Sequence, residues 1–421
     1  MSLETRLGRL QATGRLPSVV GGTLRDGVLA EAAGIGADPA TAYRIGSITK
    51  TLTAALVLQL RDEGALALSD PVGRHLPGIG YAEVSIADLL GHTGGLQSEP
   101  GGPWWERTQG GDFAALAAKN DGTRAVAGVG EFYHYSNLGY GWLGELVARL
   151  RGASWWDVVE DRLLDPLGMA HTTYGPPAGA HAQGHSVEHF TGRLVQEPHT
   201  DTGAMAPAGQ AWSTIADLAL WAGFLAGRRP DVLSAETLAE MGTPRLDPSY
   251  GLGLRVLDLD GVRLVGHTGS MPGFLASLFV APATGAGAIV LANATTGLDT
   301  DGAPSALLRG PEPDAVPAWV PSASVPAAVE DLLGVWFWGN SATELRWHNG
   351  RIETRSMQDG SIGSTFELRP DGALAGASGY HRGETLHVHP THLECATFVY
   401  TRTPYDPAAP IPGGPPAPLG P

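Results

Sequence analysis

The sequence predicts an α/β (α+β) domain followed by a small all-β antiparallel barrel, and three observations carry that reading. From Tyr43 to about Ala292, helical runs alternate with loops rich in Gly, Pro, His and Thr, without an internal repeat. Between Asp299 and Pro326 the composition shifts to Pro, Ala and Ser, which favours an extended, semi-rigid connector. Beyond it lie short alternating runs separated by Asn349-Gly350, Asp359-Gly360 and Asp371-Gly372, which are hairpin signals. The expected organisation is a large domain over 1–300, a linker over 301–326, a barrel over 327–406 and a Pro/Gly/Ala-rich, disordered tail over 407–421.

Apolar residues three or four apart predict helices at Ser47 to Glu63, Ile86 to Leu90, Leu138 to Arg151, Trp155 to Leu164 and Ser213 to Leu225. Strands are expected at Ser18 to Leu24, Val28 to Ala33, Leu252 to Leu259, Val262 to Val265, Ala276 to Val280 and Ala288 to Ala292. In the second domain the strand runs are Gly334 to Trp338, Thr343 to His348, Arg351 to Ser356, Ser364 to Leu368, Glu384 to His389 and Thr397 to Thr401. Six or more short strands so closely spaced imply a sheet closed on itself to avoid exposed edges.

Composition excludes several classes. Of the 421 residues only one is Cys, Cys395, so no intrachain disulfide and no thiolate cluster is possible, and that thiol is read as packing. Met1 to Pro17 interrupts Leu3, Leu7 and Leu10 with charge and lacks the apolar core of a secretory signal, so a cytoplasmic protein is expected. No later segment reaches the roughly 18 apolar residues of a membrane span. A formal charge of −16 disfavours nucleic acid as a partner. The 27 basic residues divide into 25 Arg and two Lys, Lys50 and Lys119. A Lys here raises a chemical question, because Lys can be tuned into a base near neutral pH and Arg cannot.

Lys50 lies in Arg44-Ile45-Gly46-Ser47-Ile48-Thr49-Lys50, where a strand-like run meets a Gly and enters a helix. Residues three apart share a helix face, so the Lys50 amine can accept the Ser47 proton; the helix N-terminus and burial both disfavour the ammonium. By itself the pattern also suits a capping Ser and a solvated Lys. Two further elements decide between the two: Tyr133-His134-Tyr135-Ser136-Asn137, which offers a phenol and an amide, and Gly266-His267-Thr268-Gly269-Ser270, in which Gly269 permits close backbone approach by a substrate.

These three elements in this order resemble the serine β-lactamase and penicillin-binding-protein superfamily, over roughly Met1 to Thr300. The loop Leu89 to Leu96 and the segment Pro207-Ala208-Gly209 to Asp217 look like its non-catalytic signatures. The resemblance implies Ser47 as nucleophile and Lys50 as its base. Tyr135, as phenolate or through a hydrogen bond to the Lys, relays the proton to the leaving group. Asn137 binds Lys50 and the acyl side chain, and the backbone amides of Ser47 and Ser270 form the oxyanion hole. His267, with Thr268 and Gly269, occupies the position where many members carry Lys. A mostly neutral His there weakens a β-lactamase reading and suits an ester or thioester with no adjacent free acid.

Other motifs are weaker. There is no Gly-x-Ser-x-Gly and no His-Glu-x-x-His. His185 with His189, and His387 with His389 and His392, lack an obvious fourth ligand, so neither metal nor cofactor is expected. Trp104 and Trp105, flanked by Gly101, Gly102 and Pro103, are expected to form an aromatic lip on the acyl site. Arg402, near the last strand, suits holding a substrate carboxylate or carbonyl.

A β-lactamase-like domain with a lipocalin-like barrel resembles penicillin-binding-protein-type thioesterases, which release nonribosomal peptides as macrocycles, and D-amino-acid-directed peptidases. The first implies a peptidyl thioester on a carrier protein or pantetheine as partner, with a D-configured acyl residue. The run Gly334-Val335-Trp336-Phe337-Trp338-Gly339 looks similar to that group. A D-stereospecific hydrolase is the alternative, and a non-catalytic peptide-binding shell a further one. Peptide sequence, ring size and oligomeric state are not legible.

Overall fold

Six strands pair antiparallel in the order Val28–Ile35, Val19–Arg25, Gly287–Ala292, Phe274–Val280, Val262–Met271, Arg255–Leu259. The computed structural model describes residues 2–309 and 316–405. It comprises two units: Met1–Ser186 with Gln196–Ala318, which holds this sheet, and Val187–Val195 with Trp319–Pro421. Every residue of Phe274–Val280 and Gly287–Ala292 is buried, the pattern of strands covered on both faces.

One face packs on the helix Ile215–Leu225, and behind that helix, in the same core, the helix Thr49–Asp62 is buried from Thr49 through Leu60. A helix buried all round must pair its polar side chains. Thr53 Oγ1 donates to the Pro207 carbonyl at 3.0 Å, Gln59 Nε2 to that of Val232 at 2.9 Å, and Thr51 Oγ1 accepts from Trp221 Nε1 at 2.8 Å. The other face is covered by Leu3 and Leu7 of the helix Leu3–Gly14 and by Ala303 and Leu307 of the helix Ala303–Leu308. The second helix corrects the expectation of an extended connector from Asp299 onwards. Pro304 sits in its first turn, where no backbone N–H is required, so proline does not prevent a helix there. Residues 310–315 of the expected linker and the tail 407–421 lie outside the described residues.

The five expected helices are present, with local differences. A 3₁₀ turn, Gly46–Ile48, precedes Thr49–Asp62, and Trp155–Val159 runs on into a π turn, Glu160–Leu164. Val262–Met271 extends beyond the expected Val265 and carries the whole His267 to Ser270 segment. Its pairing with Arg255–Leu259 ends at Gly266, so one edge beyond that point is open.

The second unit forms a closed barrel of eight antiparallel strands in chain order, from Gly334–Trp338 to Phe398–Thr401. Leu345, Trp347, Ile352, Phe366, Leu374, Leu386, Leu393 and Cys395 pack in its core. Asn349 and Gly350 both take positive φ, 47° and 82°, as a two-residue hairpin turn demands. Two strands were not expected from the sequence, Leu374–Gly379 and His392–Cys395. After Leu374 the first is made of small residues, and the second breaks its apolar run with Glu394, so neither carries a β-branched or aromatic signal.

Candidate active site

Gly46 places Ser47 at the foot of the central helix. Its φ of 53° is left-handed, and a Cβ there would fall 2.5 Å from the Ser270 nitrogen. A Cβ on Gly269 would fall 1.9 Å from the Ile45 carbonyl oxygen. The two glycines thus let the strand edge at Gly269 and Ser270 close on the turn that bears Ser47. This corrects one expectation, because the close approach that Gly269 permits is taken by Ile45 of the same chain.

Lys50 is fully buried, with Nζ 3.0 Å from Ser47 Oγ, 2.6 Å from Asn137 Oδ1 and 2.6 Å from the Ala208 carbonyl oxygen. Burial pushes its pKa down to about 7, opposed by the charges of Glu99 and Glu106. A neutral amine has two N–H bonds and one lone pair. Asn137 Oδ1 and the Ala208 carbonyl can only accept, so they take both N–H bonds and leave the lone pair for the Ser47 hydroxyl proton.

The Tyr135 hydroxyl is hydrogen-bonded to Ser47, and burial raises the phenol well above its usual range. Burial thus favours the neutral phenol, while the hydrogen bond to Ser47 works the other way. The Lys50 amine lies 5.0 Å from the centre of its ring. Asn137 opens the helix Asn137–Arg151, capped by Ser136, whose hydroxyl accepts from Gly139 N–H at 3.2 Å.

His267 is 2% exposed, and desolvation together with the nearby Lys50 charge lowers its pKa to about 3. Its Nδ1 lies 2.6 Å from the Thr268 carbonyl oxygen, which cannot donate, so Nδ1 carries the proton. Nε2 must then accept, and the Tyr250 hydroxyl, 3.0 Å away, donates to it. Tyr250 in turn accepts from His92 Nε2 at 3.1 Å, because His92 Nδ1 already accepts from Ser136 N–H at 3.1 Å. A single neutral hydrogen-bond chain thus joins the Tyr135–Asn137 segment to His267 through the loop residue His92. Thr268 Oγ1 accepts from Arg255 Nη1 at 2.9 Å, and Arg255 also pairs with Asp301.

Trp104 and Trp105 part company. Trp104 is 55% exposed and lies under the Arg107 guanidinium at 3.9 Å, as a surface lip can. Trp105 is 9% exposed and donates Nε1 to Glu99 Oε2 at 2.5 Å, which corrects its placement in the lip. The flanking glycines suggest an exposed loop, but the 3₁₀ turn Trp105–Arg107 rolls this indole inward. Arg402 is likewise engaged within its own unit. Its Nη2 donates to the Asp331 carbonyl at 2.6 Å, its Nη1 to those of Leu333 and Val335 at 3.2 Å, and its guanidinium lies 3.9 Å from the centre of the Trp336 ring. The expected substrate fork is occupied by barrel carbonyls.

Residues absent from the sequence reading complete the site: Glu99, Glu106, His92, Tyr250 and the Ala208 carbonyl. Only His92 and Ala208 lay inside segments singled out from the sequence. In the barrel, His381, Glu384 and Cys395 converge, as do His389, His392 and Glu394. His381 Nδ1 is bonded to Glu384 at 2.7 Å, and burial pushes the Cys395 thiol up to about 11, in keeping with a packed thiol. His389 and His392 stack at 4.3 Å with planes 12° apart, so one ion cannot lie in both ring planes. Among the described residues, no helix is long and apolar enough to cross a membrane.

A buried Lys poised against a Ser at the foot of a helix, with a phenol beside them, defines a serine acyl-transfer enzyme of the β-lactamase and penicillin-binding-protein superfamily. The family model described as Beta-lactamase matches residues 3–309, and the chain belongs to that family. A second model, described as a domain of unknown function (DUF7586), matches residues 325–402. Penicillin-binding protein 4 of Amycolatopsis lactamdurans is 31% identical over 307 residues, 64% of this chain and 77% of that protein. Among solved structures, a D-stereospecific amidohydrolase from Streptomyces sp. is 26% identical, covering 71% of this chain and 96% of that one at a TM-score of 0.62. SurE, 22% identical, covers 95% of this chain and 98% of that one at a TM-score of 0.61, a likeness of fold across both units.

Proposed function

We propose that the protein takes a peptidyl group with a D-configured carboxyl-terminal residue from a thioester onto Ser47 and releases it as a macrocycle. In the first step the Ser47 oxygen attacks the thioester carbonyl, its proton passes to Lys50, and the C–S bond breaks as the leaving thiolate takes that proton back from the Lys50 ammonium, so that the amine is neutral again. In the second step the peptide's own amine attacks the acyl-enzyme, gives up a proton to the Lys50–Tyr135 pair, and the Ser47 oxygen leaves protonated. Asn137 orients Lys50, and the amides of Ser47 and Ser270 receive the oxyanion.

The observation that carries acyl transfer is the set of contacts around Lys50 Nζ, whose two carbonyl acceptors leave a lone pair for Ser47. The choice of a thioester rests on His267, a neutral side chain where a cation for a substrate carboxylate would otherwise stand. The substrate's carrier is proposed to be a peptidyl carrier protein or pantetheine in the cytoplasm. A D-stereospecific amidase or peptidase is the second reading, supported by the 26% identity to the Streptomyces amidohydrolase. The intact Ser47–Lys50–Tyr135 set speaks against a non-catalytic shell.

The test is product analysis by mass spectrometry with a short peptidyl thioester bearing a terminal D-residue and a free amine, beside its L-epimer and Ser47→Ala. Cyclic product from the D-substrate alone, absent with Ser47→Ala, supports the proposal. Linear acid instead supports the hydrolase.

A further inference from the structure

We propose that Glu99, just beyond the Leu89 to Leu96 loop, is a positioning residue that fixes the Asn137 amide and thereby the Lys50 amine. The inference rests on the acyl-transfer reading above. Glu99 Oε1 accepts from Asn137 Nδ2 at 2.8 Å, and its Oε2 accepts from Trp105 Nε1 at 2.5 Å. A carboxylate can only accept, so only the amide nitrogen of Asn137 can face it. That forces Oδ1 toward Lys50, 2.6 Å from Nζ. With the amide reversed, an N–H would confront the Lys50 amine and an oxygen would confront Glu99.

The segment bearing Glu99 is itself tied down. Asn137 N–H donates to the Ser98 carbonyl at 2.7 Å, Ser136 Oγ to the Gln97 carbonyl at 2.7 Å, and Gln97 Nε2 to the Glu99 carbonyl at 2.7 Å. The carboxylate therefore acts on Lys50 from a fixed place, through one intervening amide. The other groups that face Lys50 are Glu106, which like Glu99 favours the ammonium; His92 and His267, both held neutral by burial; and the phenols of Tyr135 and Tyr140. Glu99 thus has two separable effects: orientation of the base, seen in the limiting rate, and electrostatic support of the Lys50 ammonium, seen in the pH at which activity sets in.

The test is the rate of Ser47 acylation by p-nitrophenyl acetate, followed by nitrophenolate release from pH 5 to 10. Removing the charge in Glu99→Gln is expected to move the acid limb to lower pH by about 0.5–1 unit, since less support remains for the ammonium. The same change is expected to lower the plateau about tenfold, as the Asn137 amide loses its one-way partner. Glu99→Asp, which keeps the charge, is expected to leave the limb in place. Unchanged limb and plateau in Glu99→Gln would overturn the proposal. If circular dichroism shows that Glu99→Gln does not fold, Trp105→Phe frees the second carboxylate oxygen: a lowered plateau with the original limb supports positioning, and an unchanged plateau overturns it. Because the ester needs no peptide, these results stand apart from the macrocycle reading, which fails only if the peptidyl thioester yields no cyclic product.

Discussion

The Tyr250 hydroxyl donates to His267 Nε2 at 3.0 Å, and this bond fixes the third catalytic-site motif as a neutral element. With Nδ1–H on the Thr268 carbonyl and Nε2 accepting, His267 has no free nitrogen to protonate, and burial beside Lys50 opposes the imidazolium. Replacing His267 by Lys would put a second ammonium near Lys50 and leave the Tyr250 proton without its acceptor. The prediction for His267→Lys is at least a tenfold loss in Ser47 acylation rate, measured with an activated ester at pH 8.

Tyr250→Phe tests the same chain from its middle. It leaves His92 Nε2–H and His267 Nε2 without partners in a buried place, a cost of about 1–3 kcal/mol. The expected outcome is a lowered urea midpoint with an unchanged m-value.

The Lys50 base sets the pH dependence. Its pKa is lowered to about 7, and only the neutral amine accepts the Ser47 proton, so acylation rises with pH through about 7 and falls on the acid side. A pH–rate profile checks this. Lys50→Arg, which stays charged throughout, should show no such limb and a rate lower by about 10²-fold or more.

Gly46→Ala should be costly in two ways. The residue holds a φ of 53°, and the added Cβ meets the Ser270 nitrogen at 2.5 Å. A loss of about 1–3 kcal/mol in stability is expected, together with reduced acylation, because the strand edge at Ser270 must retreat from Ser47. Thermal melting and ester kinetics read the two effects separately.

In the barrel, Arg402→Ala removes the stacking on Trp336 and the bonds to three carbonyls. The group is solvent-exposed, so about 1 kcal/mol of stability is expected to go with it, read as a lower melting temperature.

Much of the site was legible because its chemistry is local in sequence. Ser47 and Lys50 share a helix face, Lys50 is one of two lysines, and Tyr135 and Asn137 stand two apart. Their contacts were not legible. Lys50 meets Asn137 across 87 residues and Ala208 across 158, and Glu99 joins them only after the chain has folded. Tyr250 had no signal at all, since its role arises from the crossing of three segments that each look ordinary. The misplacement of Trp105 has the same origin: Gly and Pro mark a loop, but do not say which of two adjacent indoles the loop turns inward. The helix Ala303–Leu308 shows that a Pro-rich composition describes the chain's stiffness and not its state, once Pro falls in a first turn.

The central claim is that Ser47, activated by Lys50, carries the acyl group. Intact-protein mass spectrometry with a D-terminal peptidyl thioester whose amino group is acetylated tests it most directly, because the internal nucleophile is blocked. The predicted result is release of one thiol per chain with a peptidyl adduct mapped to Ser47, formed about 10²-fold or more slowly with Lys50→Arg and absent with Ser47→Ala. Turnover of the thioester with no adduct, or with an adduct on another residue, would contradict the account.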